Sequence, residues 1–186
     1  MFILASSSPR RKELLLKLIK EYEIVVPEID EKSIEGKFPP YRLPVEESKL
    51  KAYAVKEKHP NDEILACDTI VLLNGKVLGK PHTEDVAYDM LKKESGKKQT
   101  VISGYTYIGH GIEINRIVTS TVVFNELSDE QIWDYIKKYQ PLDKAGAYGI
   151  QDEAGLIKRI EGSYDNIMGL PVEDIRDNVF TPLNRK

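Results

Sequence analysis

The chain opens on an apolar block and then changes to helical spacing. Phe2–Ala5 is uninterrupted by polar residues, the pattern of a short strand buried on both faces. Ser8 fits an N-cap with Pro9 at the first helical position. Leu15, Leu18 and Ile19 then fall at i, i+3 and i+4, which predicts a helix from Pro9 to about Lys20. Tyr22–Pro27 reads as a strand. Glu28–Pro44 is acidic, carries Gly36 and three prolines, and reads as a loop. A second helix is predicted from about Val45 to Lys58, ended by Pro60. Glu63–Leu73 reads as a central strand, and Asn74–Gly75 as a two-residue hairpin turn into Lys76–Leu78. Thr83 caps a predicted third helix, with Glu84 and Asp85 in its first turn, Lys92 and Lys93 in its last, and Gly96 beyond. Thr100–Ile108 and Ile112–Phe124, rich in Val, Ile, Thr and Tyr, predict a long antiparallel pair. Ser128 and Gln131 form a capping box, and Leu127 with Ile132 a hydrophobic staple, for a helix to about Lys138. Gly149–Ile160 reads as a further hairpin, and Pro171 as the start of a last helix.

This order is mixed, with no strict βαβ alternation, and predicts an α/β or α+β sheet with helices outside it. No repeat, low-complexity segment or linker interrupts the 186 residues, so one domain over 1–186 is expected. With 41% hydrophobic residues the core can be sizeable, folding burying about 70% of the unfolded chain's surface.

The net charge of −3 argues against a globally basic nucleic-acid binder. Its distribution is uneven. Residues 1–20 hold five bases against one acid, and residues 21–47 eight acids against three bases. One cysteine, Cys67, excludes an internal disulfide framework, and His59, His82 and His110 have no zinc-ligand spacing. The run Ile64–Leu73 is too short to span a bilayer and contains Asp68, and the first residues lack the pattern of a signal peptide. A cytoplasmic protein without membrane or nucleic-acid partners is expected.

Several segments carry candidate chemistry. In Ser6-Ser7-Ser8-Pro9-Arg10-Arg11 both arginines fall in the first turn of a helix, where they oppose the dipole by about 0.3–1 kcal/mol each. A phosphorylated ligand would turn them to use through bidentate contacts; a solvated turn is the alternative. Asp68 lies inside a predicted strand, on the face of Ala66 and Ile70, and needs a cation, a metal or several donors. A structural role and a role as metal ligand or general base both satisfy that need. Gly75–Lys80 is one residue short of a phosphate-binding glycine loop and is followed by Pro81 where Ser or Thr is required, so no such loop is present, although Lys80 can still meet a phosphate. Lys49 and Lys51 lie on the second helix, and periodicity does not choose between them. Glu28, Asp30 and Glu31 form an acidic run; paired with Asp68, one of them could hold Mg²⁺. Asp143–Gln151 concentrates small residues around Tyr148, as a tight backbone passage or a close approach to a ligand would require, and Gln151 can read a base edge. Cys67 reads as a small buried hydrophobe.

In order along the chain, Leu4–Arg11, Asp30-Glu31, Lys51-Ala52, Cys67-Asp68-Thr69, Gly79-Lys80-Pro81, Asp143–Gln151 and Gly169-Leu170-Pro171 resemble the Maf family of nucleoside triphosphate pyrophosphatases, also called septum formation inhibitors. The resemblance covers nearly the whole chain and departs at Cys67, where the family usually has Gly or Ala. It implies a mixed, elongated central sheet flanked by helices, with two lobes around a cleft, like the inosine-triphosphate pyrophosphatases. It implies hydrolysis of dTTP or UTP, with modified pyrimidine nucleotides as further candidates, to the monophosphate and pyrophosphate with Mg²⁺ or Mn²⁺. Asp68 is then the proton acceptor, Lys51, Lys80 and Glu31 complete the catalytic group, and Asp68 and Glu31 are the metal carboxylates. Ser6, Ser8, Arg10, Arg11, Thr69 and Gln151 bind substrate, and the Gly149-Ile150-Gln151 form resembles the dTTP/UTP branch. A homodimer is also implied. The family's older name keeps a second reading open, a non-catalytic nucleotide-binding regulator of cell division.

Overall fold

The computed structural model describes residues 1–184, except the side chain of Glu31. Seven strands are hydrogen-bonded in the order β2-β1-β3-β5-β6-β7, with β4 also on β3. They are β1 (Phe2–Ala5), β2 (Glu23–Val25), β3 (Glu63–Leu73), β4 (Lys76–Leu78), β5 (Lys98–Gly109), β6 (Ile112–Phe124) and β7 (Ile157–Glu161). The helices are α1 (Pro9–Leu15), α2 (Leu43–Lys58), α3 (Glu84–Glu94), α4 (Asp129–Tyr139), α5 (Tyr164–Met168) and α6 (Val172–Ile175). This is the mixed α/β class that the apolar pattern predicts. The chain divides into two compact units: residues 1–69, 102–118 and 165–186, and residues 70–101 and 119–164. Strands β3, β5 and β6 contribute residues to both.

In the first unit β1 is buried along its whole length and pairs in parallel with β2 and with β3, Ile3 opposite Ile64 and Ala5 opposite Ala66. Period-2 alternation splits the apolar residues into two layers. Phe2, Leu4, Leu65 and Cys67 pack with Leu14 and Leu15 of α1 and with Leu170, Val172, Ile175, Val179 and Phe180. Ile3, Ala5, Ile64 and Ala66 pack with Ala52 and Val55 of α2. Helix α2 comes in very close at its start: a Cβ on Gly104 of β5 would lie 2.1 Å from the Val45 nitrogen, so only glycine fits there.

In the second unit β3 turns at Asn74–Gly75, both at positive φ, and pairs antiparallel with β4, while β7 pairs antiparallel with β6. Helices α3 and α4 pack on each other. Their caps are those expected: the Thr83 hydroxyl accepts from Val86 N, and Ser128 and Gln131 form the reciprocal box.

Three expectations are corrected. Helix α1 stops at Leu15, because Leu16, Lys17 and Leu18 donate three residues back and tighten the chain out of the α-helix; Lys17 then pairs with Asp165. The segment Glu28–Pro44 holds two 3₁₀ turns, Glu31–Ile34 and Pro40–Arg42, and the second leads directly into α2 at Leu43. No hairpin spans Gly149–Ile160: residues 149–155 are turns, and only β7 is extended, finding its partner in β6. The last helix does start after Pro171 as expected, a four-residue α6 that widens into a π-helical turn over Arg176–Phe180.

Candidate active site

The two layers of the first unit each deliver a cation to the middle of β3. By alternation Asp68 lies on the α2 side, with Ile64 and Ala66, and Thr69 on the α1 side, with Leu65 and Cys67. Lys51 of α2 donates to Asp68 Oδ1 at 3.0 Å and to Glu47 Oε1 at 2.9 Å, and the three side chains are only 13–16% exposed. Glu47 stands one helical turn before Lys51, the favourable order for an i,i+4 pair. Burial works against the Lys51 ammonium, but the charges of Asp68 and Glu47 and the hydrogen bond to Glu47 outweigh it; its pKa is raised above the ordinary lysine value, with Arg11 acting in the opposite sense.

On the other face Arg11 is held at two points. Its Nε donates to the Gly169 carbonyl at 2.8 Å and its Nη2 to Thr69 Oγ1 at 3.1 Å. Thr69 Oγ1 also lies 2.8 Å from Ser103 Oγ. Gly169 has φ 124°, a left-handed conformation that explains the glycine. The guanidinium is therefore aimed by the protein while Nη1 makes no hydrogen bond among the described residues, which suits it to bind an anion with a fixed fork. The Ser6 hydroxyl accepts from Ser8 N at 3.1 Å and the Ser8 hydroxyl from Arg11 N at 3.4 Å. Ser8 caps α1, Ser6 closes the turn before it, and each hydroxyl retains an O–H to donate. Because α1 has only seven residues, the anion-binding capacity of this segment rests on its arginines and hydroxyls more than on a helix dipole. Arg10 is partly exposed and hydrogen-bonds to nothing among the described residues.

The first unit thus gathers Ser6, Ser8, Arg11, Lys51, Asp68 and Thr69, with Arg10 adjacent in the chain. The Glu31 side chain lies outside the described residues. Lys80 and Gln151 belong to the second unit and are exposed. There Gly146 N donates to Gly79 O at 3.2 Å, tying the small-residue segment to the backbone just before Lys80. Glu47 is the site residue that sequence reasoning passed over, although its i,i+4 spacing from Lys51 on a predicted helix was legible.

An acid with a lysine on one oxygen, and an arginine fixed among serine and threonine hydroxyls on a mixed α/β sheet, are the kinds of group that hydrolytic enzymes acting on phosphates use. The family model described as "Maf-like protein" matches residues 1–179, and the chain belongs to the Maf family. Over the full length of both chains it is 45% identical to the dTTP/UTP pyrophosphatase of Thermococcus gammatolerans. It is 47% identical to that of Phocaeicola vulgatus, over 92% of this chain and 90% of the relative. It is 47% identical to that of Thermosipho melanesiensis, over 94% of each. The solved Ham1 protein of Staphylococcus aureus aligns on 69% of this chain and 72% of its own, at TM-score 0.44 and 16% identity, a likeness too partial to decide anything. No helix among the described residues is long and apolar enough to cross a membrane.

Proposed function

We propose that the chain hydrolyses dTTP and UTP to the monophosphate and pyrophosphate. The relatives' names and the family support the activity, and the pairing of Asp68 with Lys51 carries the mechanism. One Asp68 oxygen accepts from Lys51, while Oδ2 has no hydrogen-bond partner among the described residues. That oxygen takes the proton of a water attacking the α-phosphorus. The bond from phosphorus to the bridging oxygen breaks, and pyrophosphate leaves with the electron pair. Arg11, aimed by Gly169 and Thr69, and the ammonium of Lys51 neutralise charge that grows on the phosphate oxygens; such pre-aimed donors are the largest contribution in many enzymes. Ser6, Ser8 and Arg10 add donors for the phosphates. From the resemblance, Lys80 is assigned to phosphate, Gln151 and Thr69 to the base, and Glu31 to the metal.

The donor set fits Mg²⁺ or Mn²⁺. Among the described residues no three His, Cys, Asp or Glu side chains gather, which suits a hard cation held by one or two carboxylates, waters and substrate phosphates. Asp68 would hold it, and the cation would supply Lewis-acid neutralisation of the triphosphate. We also assign the chain to the cytoplasm as a homodimer and as one domain of two lobes.

Pyrophosphate release across the canonical nucleotides, with and without divalent metal, tests the activity. Turnover confined to dTTP and UTP is expected, whereas tight binding with no turnover of any nucleotide would favour the regulator. Asp68→Asn tests the mechanism: a general base is worth about 10²–10⁴-fold, so kcat should fall by that factor. Near wild-type turnover at saturating metal would remove Asp68 from the role.

A further inference from the structure

The second unit holds a clamp around the residue assigned to the base. Tyr135 of α4 is 3% exposed, and its hydroxyl makes two hydrogen bonds. It accepts from Gly149 N at 2.9 Å and donates to Asp152 Oδ2 at 2.7 Å. Gly149 and Asp152 are the two ends of the four-residue turn that contains Ile150 and Gln151, closed by Asp152 N donating to Gly149 O at 3.1 Å. One phenol therefore fixes both ends of the turn whose tip carries Gln151. The glycine is required by the same geometry: a Cβ on Gly149 would stand 2.8 Å from Asp152 Oδ2 and 3.2 Å from Gln151 Oε1. Just upstream, Gly146 and Ala147 both have positive φ, so the segment enters the turn along a constrained path.

We infer that Tyr135 and Asp152 are positioning residues for nucleotide selection, acting through Gln151. An exposed glutamine amide discriminates between bases only if its oxygen and nitrogen are presented in a fixed direction, since a freely turning amide offers donor and acceptor to any base edge. Selectivity built from hydrogen bonds depends on the unpaired group that the wrong ligand leaves behind, and that penalty disappears when the reader can swing away. The clamp fixes, from a helix of the core, the backbone from which Gln151 projects, and so limits the directions its amide can take. Tyr135 touches no substrate and takes part in no chemical step.

This inference rests on the assignment of Gln151 to the base. Tyr135→Phe is the sharp test, because it keeps the ring and its packing and removes one oxygen. The ratio of kcat/KM for dTTP to that for CTP should fall about tenfold, matching the loss of one hydrogen bond. The kcat for dTTP should stay within about twofold, since the chemical step is untouched. Asp152→Asn, which keeps shape but weakens the acceptor, should fall between Tyr135→Phe and the wild type. Backbone amide exchange at residues 149–152 gives a readout independent of turnover, and protection should drop there in Tyr135→Phe while α4 itself is unchanged. Unchanged selectivity together with unchanged protection overturns the clamp. Lost protection with unchanged selectivity overturns its part in selection. If Gln151→Ala also leaves the ratio unchanged, the base assignment is what has failed; the exchange data then still decide whether the clamp orders the turn.

Discussion

Two buried polar clusters, one in each unit, differ in whether their charges are paired, and that difference bears on which of them can do chemistry. In the first unit Lys51, Asp68 and Glu47 are half-hidden and mutually paired, and Arg11 is held by Gly169 and Thr69. In the second, Glu94 is fully buried, with no hydrogen-bond partner for either carboxyl oxygen among the described residues. The Tyr148 hydroxyl and Gln99 Oε1 are likewise unpaired there, and a Cβ on Gly146 would lie 2.9 Å from Glu94 Oε1 and 3.1 Å from the Tyr148 ring. Burial drives the Glu94 pKa well above the usual glutamate range. Yet that carboxyl is enclosed, so it can neither meet a substrate nor exchange a proton with one. The first cluster combines cations already aimed with an acid oxygen left over, which is the combination that chemistry needs.

Removing a charge should therefore have opposite signs in the two places. Lys51→Met takes a cation from the transition state and strands Asp68 and Glu47 beside each other. A fall of about 10²–10³-fold in kcat is expected from the loss of one such donor, together with a lowered midpoint of urea unfolding. Wild-type kcat would mean that Lys51 is only a partner for Asp68. Gly169→Ala probes the other face of β3. At φ 124° an L-residue is strained by about 1–3 kcal/mol, and relief by a shift of the backbone here disturbs the carbonyl that holds Arg11. A loss of stability with a raised KM for nucleotide is expected; a stability loss alone would show that Arg11 keeps its aim without Gly169.

How much of this was legible beforehand depended on whether a signal was local. The apolar run Phe2–Ala5, the Asn74–Gly75 turn and the box at Ser128 and Gln131 each specify their element from adjacent residues, and each is found as expected. Asp68 stood out because a carboxylate inside an apolar strand requires a partner. Periodicity did not choose between Lys49 and Lys51; the resemblance singled out Lys51, and its contact with Asp68 depends on the packing of α2 on the sheet, which Gly104 helps to set from a strand far along the chain. The expected hairpin over Gly149–Ile160 failed for the same reason. Alternation and glycines were present, but the bonds that shape 149–152 come from Tyr135, on a helix that sequence spacing does not connect to the turn. The unpaired Glu94 was illegible too: it reads as the last polar residue of a helix, and only the tertiary packing encloses it.

The last expected effect, on stability alone, concerns that residue. An acid whose folded pKa lies above its unfolded value holds a proton in the folded chain that the unfolded chain has already released. Below the unfolded glutamate value of about 4.3 both states are neutral at this position and no penalty arises. As pH climbs past that value, stability falls until the folded carboxyl ionises as well. Glu94→Gln keeps the shape and cannot ionise, so it should match the wild type near pH 4.5 and exceed it progressively at pH 6 and pH 8, as urea midpoints at the three values would reveal. The other titrating groups are common to both chains and cancel in the difference, which leaves the slope to Glu94. Parallel curves would mean that the Glu94 carboxylate has a compensating partner when ionised, and the contrast between a paired and an unpaired cluster would then be lost.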